Sequence, residues 1–338
     1  MTVRDMVKVY KTLSSNKPSL LSDVSRLAAK KPALVVLVIC IASLYTAAVT
    51  SNPYIPPIEY AKFWHGNASV NSNLVPISFE VDDSASLKQK FSQFNYDLSA
   101  ITEGERDVPR LFLSTLPHDL SAASVSERKR LFVQAILPLI LRANEVISME
   151  RQRVLAIATQ ARITGKISND SKIWLEGLAS VYGVAPDNFQ ALLERVDKVP
   201  PSLALAQAVE ESGWGTSRFA REGNAVFGER TFTTGRGLVP EQRDADKQHE
   251  VRVFDGLHFS VATYMLNLNS HWAYETFRKA RSEMRLQDES LDGYKLAATL
   301  GRYSERGTDY IATIRSIIRA NGFDLLDDVT LAFTRRSL

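Results

Sequence analysis

LALAQAVEESGWGTSRFAREGNAVFG, residues 203–228, begins as an alanine-rich helix and closes on two adjacent acids, Glu210 and Glu211. Pro200 and Pro201 bar continuation from any preceding helix, Ser202 can serve as N-cap, and Ala204, Ala206 and Ala208 favour helix while permitting close packing. Gly213 and Gly215 end the helix. Glu211 therefore falls in the last turn, where unpaired carbonyls carry partial negative charge and disfavour a carboxylate by about 0.3–1 kcal/mol. Partial burial would raise its pKa further. Glu210 and Glu211 lie about 100° apart around the helix, so they face different surroundings and do not form one catalytic pair. Glu211 stacks over Gln207 and Ala208, which leaves room there for a ligand. An acid kept protonated near neutrality is what cleavage of a glycosidic bond needs, because the departing oxygen must receive a proton.

Around this stretch the chain is ordinary globular material. Its 338 residues are 45% hydrophobic and 23% charged, with a net charge of +3. Residues 1–31 carry seven basic side chains against Asp5 and Asp23, so by subtraction the remainder stands at about −2. The basic character belongs to a short tail that suits an anionic membrane surface, and no later basic stripe with interleaved aromatics points to nucleic acid. Between Lys31 and Glu59 there is no charge, and residues 32–51 read as a single-pass anchor in the inner (cytoplasmic) membrane. Lys30 and Lys31 place the N-terminus in the cytoplasm and the rest across the membrane, in the periplasm. A cleaved signal peptide is the competing reading, and the thirty-residue basic region is long for one. The single cysteine, Cys40, lies in this segment and excludes an intramolecular disulfide.

The proline-bearing stretch SNPYIPPIEY, residues 51–60, reads as an extended spacer, and residues 60–105 are assigned no structure or role. Helical patterning resumes at residue 126, with Ser126 as cap, Pro138 as a kink and an apolar core, 131–141, too short for a second span. Residues 171–198 read as two short helices around VYGVAPDN, and strands are expected only in a hairpin with Thr231 and Phe232 facing Val251 and Val253. Helical spacing returns at Leu257, Val261, Tyr264, Met265 and Leu268, and again at Tyr310, Ile314, Ile317 and Ile318 after a Thr308 cap. The five histidines show no zinc-ligand spacing, and no phosphate loop, dinucleotide fingerprint or nucleophile elbow occurs. No metal or cofactor is implied.

The ordered set Leu205-Ala206-Gln207-Ala208, Glu211-Ser212-Gly213-Trp214-Gly215, Ser217-Arg218-Phe219-Ala220, Gly223-Asn224 and Phe227-Gly228 resembles the active-site block of glycoside hydrolase family 73, the peptidoglycan glucosaminidases. VRVFDGLHFSVATYMLNLNSHWAYETFR and YSERGTDYIATIRSIIRANGF resemble the later helices of that domain. PRLFLSTLPHDL, RKRLFVQAILPLI and LNLNSHWAY are similar to its membrane-anchored Bax-type branch.

The resemblance implies a mainly α, lysozyme-like two-lobed helical domain with a small β-hairpin, preceded by one transmembrane helix. The organisation expected is a basic tail (1–31), the anchor (32–51), a spacer (52–105), a helical accessory region (106–189), the glucosaminidase domain (190–325) and a C-terminal tail (326–338). Glu211 takes the position of the family's general acid, and Trp214 and Phe227 are expected to line the cleft, with Gln207 and Asn224 also contacting substrate. Tyr303 falls where the family has a tyrosine that helps hold the N-acetyl sugar, although Tyr303-Ser304-Glu305 departs from the usual Tyr-Ala-Thr. A second acid on the hairpin would be Glu229, Glu241, Asp244, Asp246 or Glu250, and Glu241, after Pro240 near the expected turn, is favoured.

The implied substrate is the peptidoglycan glycan strand, and the implied reaction is cleavage of the β-1,4 bond between N-acetylglucosamine and N-acetylmuramic acid. A lytic transglycosylase would leave anhydro-muramyl ends and a muramidase would leave N-acetylmuramic acid at the new reducing end. A non-catalytic envelope scaffold would bind glycan and release nothing. Protein partners are not legible in the sequence.

Overall fold

The computed structural model of the chain describes residues 77–231, 237–239 and 250–333, so the basic tail and the expected anchor at 32–51 lie outside the described residues. The elements follow in chain order. Strand β1 (Ile77–Phe79) precedes helices α1 (Ser84–Gln93) and α2 (Leu98–Thr102), then strand β2 (Leu111–Leu113). The 40-residue helix α3 (Val125–Thr164) leads to α4 (Asn169–Tyr182), α5 (Phe189–Arg195), α6 (Pro201–Ser212) and α7 (Arg218–Gly223). Short strands β3 (Arg230–Thr231), β4 (Gly237–Leu238) and β5 (Glu250–Arg252) come next. Helices α8 (Leu257–Ser270), α9 (Glu275–Leu286), α10 (Gly293–Leu296) and α11 (Thr308–Ala320) complete the order, with 3-10 turns at Trp272–Tyr274 and Phe323–Leu326.

The fold is mainly α, as the sequence implies, with two corrections to the strands. A parallel pair, β1 with β2, joins Ile77 to Leu111 and Phe79 to Leu113, so strands are not confined to the hairpin. The hairpin itself is part of a three-stranded antiparallel sheet in the order β3-β5-β4. Arg230 pairs with Val251 and Leu238 also pairs with Val251, while Val253 lies past the end of β5. Gly237 is required at this pairing, because a Cβ there would come within 2.4 Å of the Val251 carbonyl oxygen.

Part of the stretch to which the sequence assigns no structure contributes to the main core. Leu87, Phe91, Tyr96 and Ile101 are buried with the residues of the later helices in one continuous cluster. Phe91 and Tyr96 meet edge to face at 5.4 Å, and the Tyr96 carbonyl accepts from Gln134 Nε2 at 2.5 Å.

Helix α3 is the scaffold. Its cap is Ser124, whose hydroxyl accepts from the Glu127 amide, rather than Ser126, and the helix runs through Pro138. Length and composition would allow it to cross a membrane, yet 89% of its most apolar window is buried within the protein. Leu131 to Asn144 are buried without interruption, so both faces of this stretch meet other elements, as in a core helix.

Helix α6 is packed on almost every side. All of its residues except Glu210 and Glu211 are buried. Its start is Pro201, not Leu203: a proline at the first helical position lacks only an amide that would have no partner there. Ser202, expected as the cap, is inside the helix, and its amide and hydroxyl both donate to Asp327, each at 2.8 Å. Gly293 also donates to Asp327 at 3.0 Å, and a Cβ at Gly293 would collide with the Ser202 Oγ.

The chain leading into α6 is held from two sides. Asn144 of α3 makes a paired amide contact with Val199, donating to its carbonyl at 2.8 Å and accepting from its amide at 3.0 Å. The fully buried Arg281 donates to the carbonyls of Glu194, Asp197 and Lys198 and to Asn269 Oδ1, at 2.7–3.0 Å. A buried guanidinium is tolerated here because backbone oxygens and Asp197 supply the partners that water would otherwise provide.

Candidate active site

The glutamates at the end of α6 diverge, as their spacing requires. Glu210 turns to solvent and pairs with Arg306 at 2.6 Å, across an exposed contact worth little by itself. Glu211 turns to the interior edge, where Tyr310 donates to its Oε1 at 2.9 Å. The Tyr310 hydroxyl in turn accepts from Gln207 Nε2 at 2.9 Å, and Gln207 Oε1 accepts from Tyr264 at 2.6 Å. This directed chain, Tyr264 to Gln207 to Tyr310 to Glu211, uses α8, α6 and α11 and fixes the carboxyl from beneath.

Burial raises the Glu211 pKa above the usual carboxylate range, opposed by the Tyr310 hydrogen bond and by Arg306 and Arg230, and assisted by Glu210. Desolvation is thus the largest cause. The surrounding hydroxyls stay protonated: burial and the Glu211 charge raise the pKa of Tyr303 and of Tyr310, and push Tyr274 up to about 12. Tyr310 can therefore act toward Glu211 only as a neutral donor.

The turn after Glu211 explains the residues that follow. Gly213, Trp214 and Gly215 have φ of 57°, 61° and 76°, three successive left-handed positions. Ser212 closes the turn, donating to the Ala208 carbonyl at 2.5 Å and accepting from the Gly215 amide at 2.9 Å. A Cβ on Gly215 would lie 2.7 Å from Leu116 and 2.9 Å from Phe132. Trp214, a bulky residue in a costly conformation, is held by edge-to-face contacts with Phe132 at 6.0 Å and Phe323 at 6.3 Å, and by Lys129 at 4.7 Å from its ring. These contacts tie the Glu211 turn to α3.

The other expected site residues take different places. Gln207 is fully buried, and both ends of its amide are occupied, so it supports Glu211 from below instead of facing a ligand. Phe227 is 2% exposed and stacks on Tyr264 at 3.8 Å, forming floor beneath the carboxyl rather than cleft wall. Asn224 caps α7 in a left-handed conformation and donates to the Phe254 carbonyl at 3.0 Å, while its buried Oδ1 has no partner among the described residues. Tyr303 does join the site: its ring lies parallel to Tyr310 at 5.3 Å and beside Tyr274 at 5.9 Å.

Among the second-acid candidates, Glu241, Asp244 and Asp246 lie outside the described residues. Glu250 is buried and spends Oε2 on the Gly237 amide at 2.8 Å. Glu229 is the candidate brought beside Glu211. It follows Gly228, where a Cβ would sit 3.6 Å from Glu211 Oε2, and its Oε1 is enclosed with no partner among the described residues. The Ser260 hydroxyl lies 3.4 Å from its other oxygen. Burial pushes the Glu229 pKa up to about 8, with Glu211 adding to the rise. Two neighbouring carboxyls are thus both biased toward the protonated form, an arrangement found where protons are moved. Among the described residues no group of three His, Cys, Asp or Glu side chains converges as a metal site would.

The family of mannosyl-glycoprotein endo-β-N-acetylglucosaminidases matches residues 187–323, which contain Glu211, Glu229, Tyr303 and Tyr310. Protein bax of Escherichia coli (strain K12) is 32% identical over 203 residues, covering 58% of this chain and 71% of the relative. The chain belongs to the glucosaminidase family. No solved structure matches it. The glucosaminidase match begins within the turn before α5 and ends just after α11, so it takes in α6, the three-stranded sheet and every hydroxyl that touches Glu211. It leaves out α3, against which the glucosaminidase helices pack through Trp214 and Val199. A glucosaminidase is a glycoside hydrolase, and a half-enclosed, protonatable carboxyl is the group that such chemistry demands.

Proposed function

We propose that the chain is a peptidoglycan β-N-acetylglucosaminidase that cleaves the β-1,4 bond between N-acetylglucosamine and N-acetylmuramic acid, with Glu211 as general acid. The observation that carries this reading is the Glu211 carboxyl itself: desolvated at the end of α6, raised in pKa, and oriented by Tyr310. Glu211 gives its proton to the glycosidic oxygen as the bond to the anomeric carbon breaks, and it is left ionised, where the Tyr310 donor stabilises it.

Positive charge then develops on the sugar ring. Glu229 is the second carboxyl in this reading and takes the role expected of Glu241: held in the protonated form by burial, it donates to the acetamido group and orients it. Tyr303, stacked over Tyr310, forms the face against which the N-acetyl sugar sits. The domain stands on the far side of the inner membrane from the basic tail, tethered through residues 32–51 and continued by the spacer, with 106–189 as accessory region and 190–325 as catalytic domain. The apolar, charge-free run after Lys30 and Lys31 supports that placement.

The test is mass spectrometry of borohydride-reduced peptidoglycan digested with the full chain and with Glu211→Gln. Reduced N-acetylglucosamine ends from the parent and none from the variant are expected. Anhydro-muramyl or reduced N-acetylmuramic acid ends would replace this bond assignment, and equal activity of Glu211→Gln would remove Glu211 from its role.

A further inference from the structure

The aromatic layer around Glu211 continues to the surface beyond Tyr303. Two chain segments run side by side there. One carries His271, Trp272 and Tyr274, and the other carries Arg302 and Tyr303. Tyr274 and Tyr303 form the inner pair, 5.9 Å apart. Trp272 and Arg302 form an outer pair, with the guanidinium 5.4 Å from the centre of the indole. Trp272 is 67% exposed and Arg302 is exposed.

The turn that presents the indole is well held. His271 Nδ1 accepts from the Ala273 amide at 3.2 Å, and the His271 carbonyl accepts from the buried Arg278 at 2.7 Å. His271 also bridges the two rings, 5.4 Å from Trp272 and 5.8 Å from Tyr274. Among the described residues Arg302 has no carboxylate partner. A lone exposed aromatic is ordinary on a protein surface. An indole fixed beside a guanidinium without a carboxylate, and adjoining the tyrosines of the Glu211 site, has the composition of a binding subsite.

We propose that Trp272 and Arg302 form an outer subsite of the Glu211 cleft for a glycan strand that bears carboxylates. One pyranose of the strand lays its C–H face on the indole, and a carboxylate of the attached stem peptide meets the guanidinium in a two-pronged hydrogen bond. The subsite rests on the peptidoglycan reading above. It reads the strand away from the bond being cut, so it adds affinity for long, peptide-bearing strands without altering the chemistry at Glu211.

The test uses the full-length chain in detergent micelles, carrying Glu211→Gln to stop turnover, and isothermal titration with peptidoglycan fragments of increasing length and with length-matched chitin oligomers. Trp272→Ala is expected to weaken the longest fragments of both kinds about tenfold and to leave the disaccharide unchanged, with Trp272→Phe recovering most of the loss. Arg302→Gln is expected to weaken only the peptide-bearing fragments. In the active chain both substitutions raise KM on long strands and leave kcat unchanged. Unaltered thermal melts establish that the variants fold.

Long fragments bound equally well by the parent and by Trp272→Ala would overturn the subsite alone. A parent that binds no fragment would sink the glycan reading and the subsite together. Loss of binding to anionic lipid vesicles in Trp272→Ala, with glycan affinity retained, would assign the patch to the membrane and refute the proposal.

Discussion

Tyr310→Phe removes one hydroxyl that serves two partners, and the consequences for stability and for catalysis separate cleanly. The lost acceptor leaves Gln207 Nε2, in a side chain with no exposed surface, without its 2.9 Å partner. An unsatisfied buried donor costs about 1–3 kcal/mol. For a domain of this size that is roughly 2–12 °C in Tm. The lost donor acts on Glu211, whose ionised form it favours by a charge-assisted bond at 2.9 Å. Without it the Glu211 pKa rises further, the acid remains protonated to higher pH, and it becomes a weaker proton donor. The alkaline limb of kcat/KM, followed by release of reducing ends from peptidoglycan, is therefore expected to move to higher pH while kcat falls. Glu210→Gln is the opposing control. It removes a charge that raises the Glu211 pKa and leaves Arg306, which lowers it, unopposed, so the alkaline limb should move down. An alkaline limb that stays in place or moves down in Tyr310→Phe, in a variant that folds, would refute the assignment of that limb to Glu211.

Gly215→Ala should cost about 2–5 kcal/mol in urea unfolding, from the left-handed φ of 76° and a Cβ 2.7 Å from Leu116; a loss under about 1 kcal/mol would mean the turn relaxes freely. Glu229, Glu150 and Asp327 have pKa values raised by burial to about 8, about 7 and about 6. Each binds a proton more tightly folded than unfolded, so stability is full below the ordinary carboxylate range and declines as pH rises toward 8. The decline in Tm between pH 5 and pH 8 should be shallower in Glu229→Gln than in the parent, and equal slopes would show that Glu229 is solvated. Arg281→Met, which leaves the carbonyls of Glu194, Asp197 and Lys198 without their buried donor, should destabilise by about 3–5 kcal/mol, measured by denaturant titration, and an effect under 1 kcal/mol would show that water replaces it.

Much of the core geometry was legible residue by residue. The break at Pro200 and Pro201, the glycines after Ser212, and the 100° between Glu210 and Glu211 are local matters of backbone freedom and helix pitch, so they survive from sequence into structure. The two strands at 77–79 and 111–113 were not legible, because three residues in each carry too little periodicity to separate them from coil. Nor was the role of Ser202 or of Gln207. A helix N-terminus satisfied by Asp327, 125 positions away, and an amide clasped between Tyr264 and Tyr310 depend on contacts that no local pattern contains.

The sequence by itself determined that Glu211 closes a helix and points about 100° away from Glu210, since helix pitch and the proline and glycine breaks are local properties. Which carboxyl would stand beside Glu211 was decided only in three dimensions. Glu229 immediately precedes β3 and Glu250 opens β5 of the same sheet, and their residue type and spacing do not rank them. Pairing of β4 with β5 spends Glu250 on the Gly237 amide, while the chain reversal at Gly228 brings Glu229 next to Glu211 with one oxygen enclosed and without a partner among the described residues. The elevated pKa values of the pair arise in the same way, because desolvation is a property of everything packed around a group and not of its neighbours in the chain.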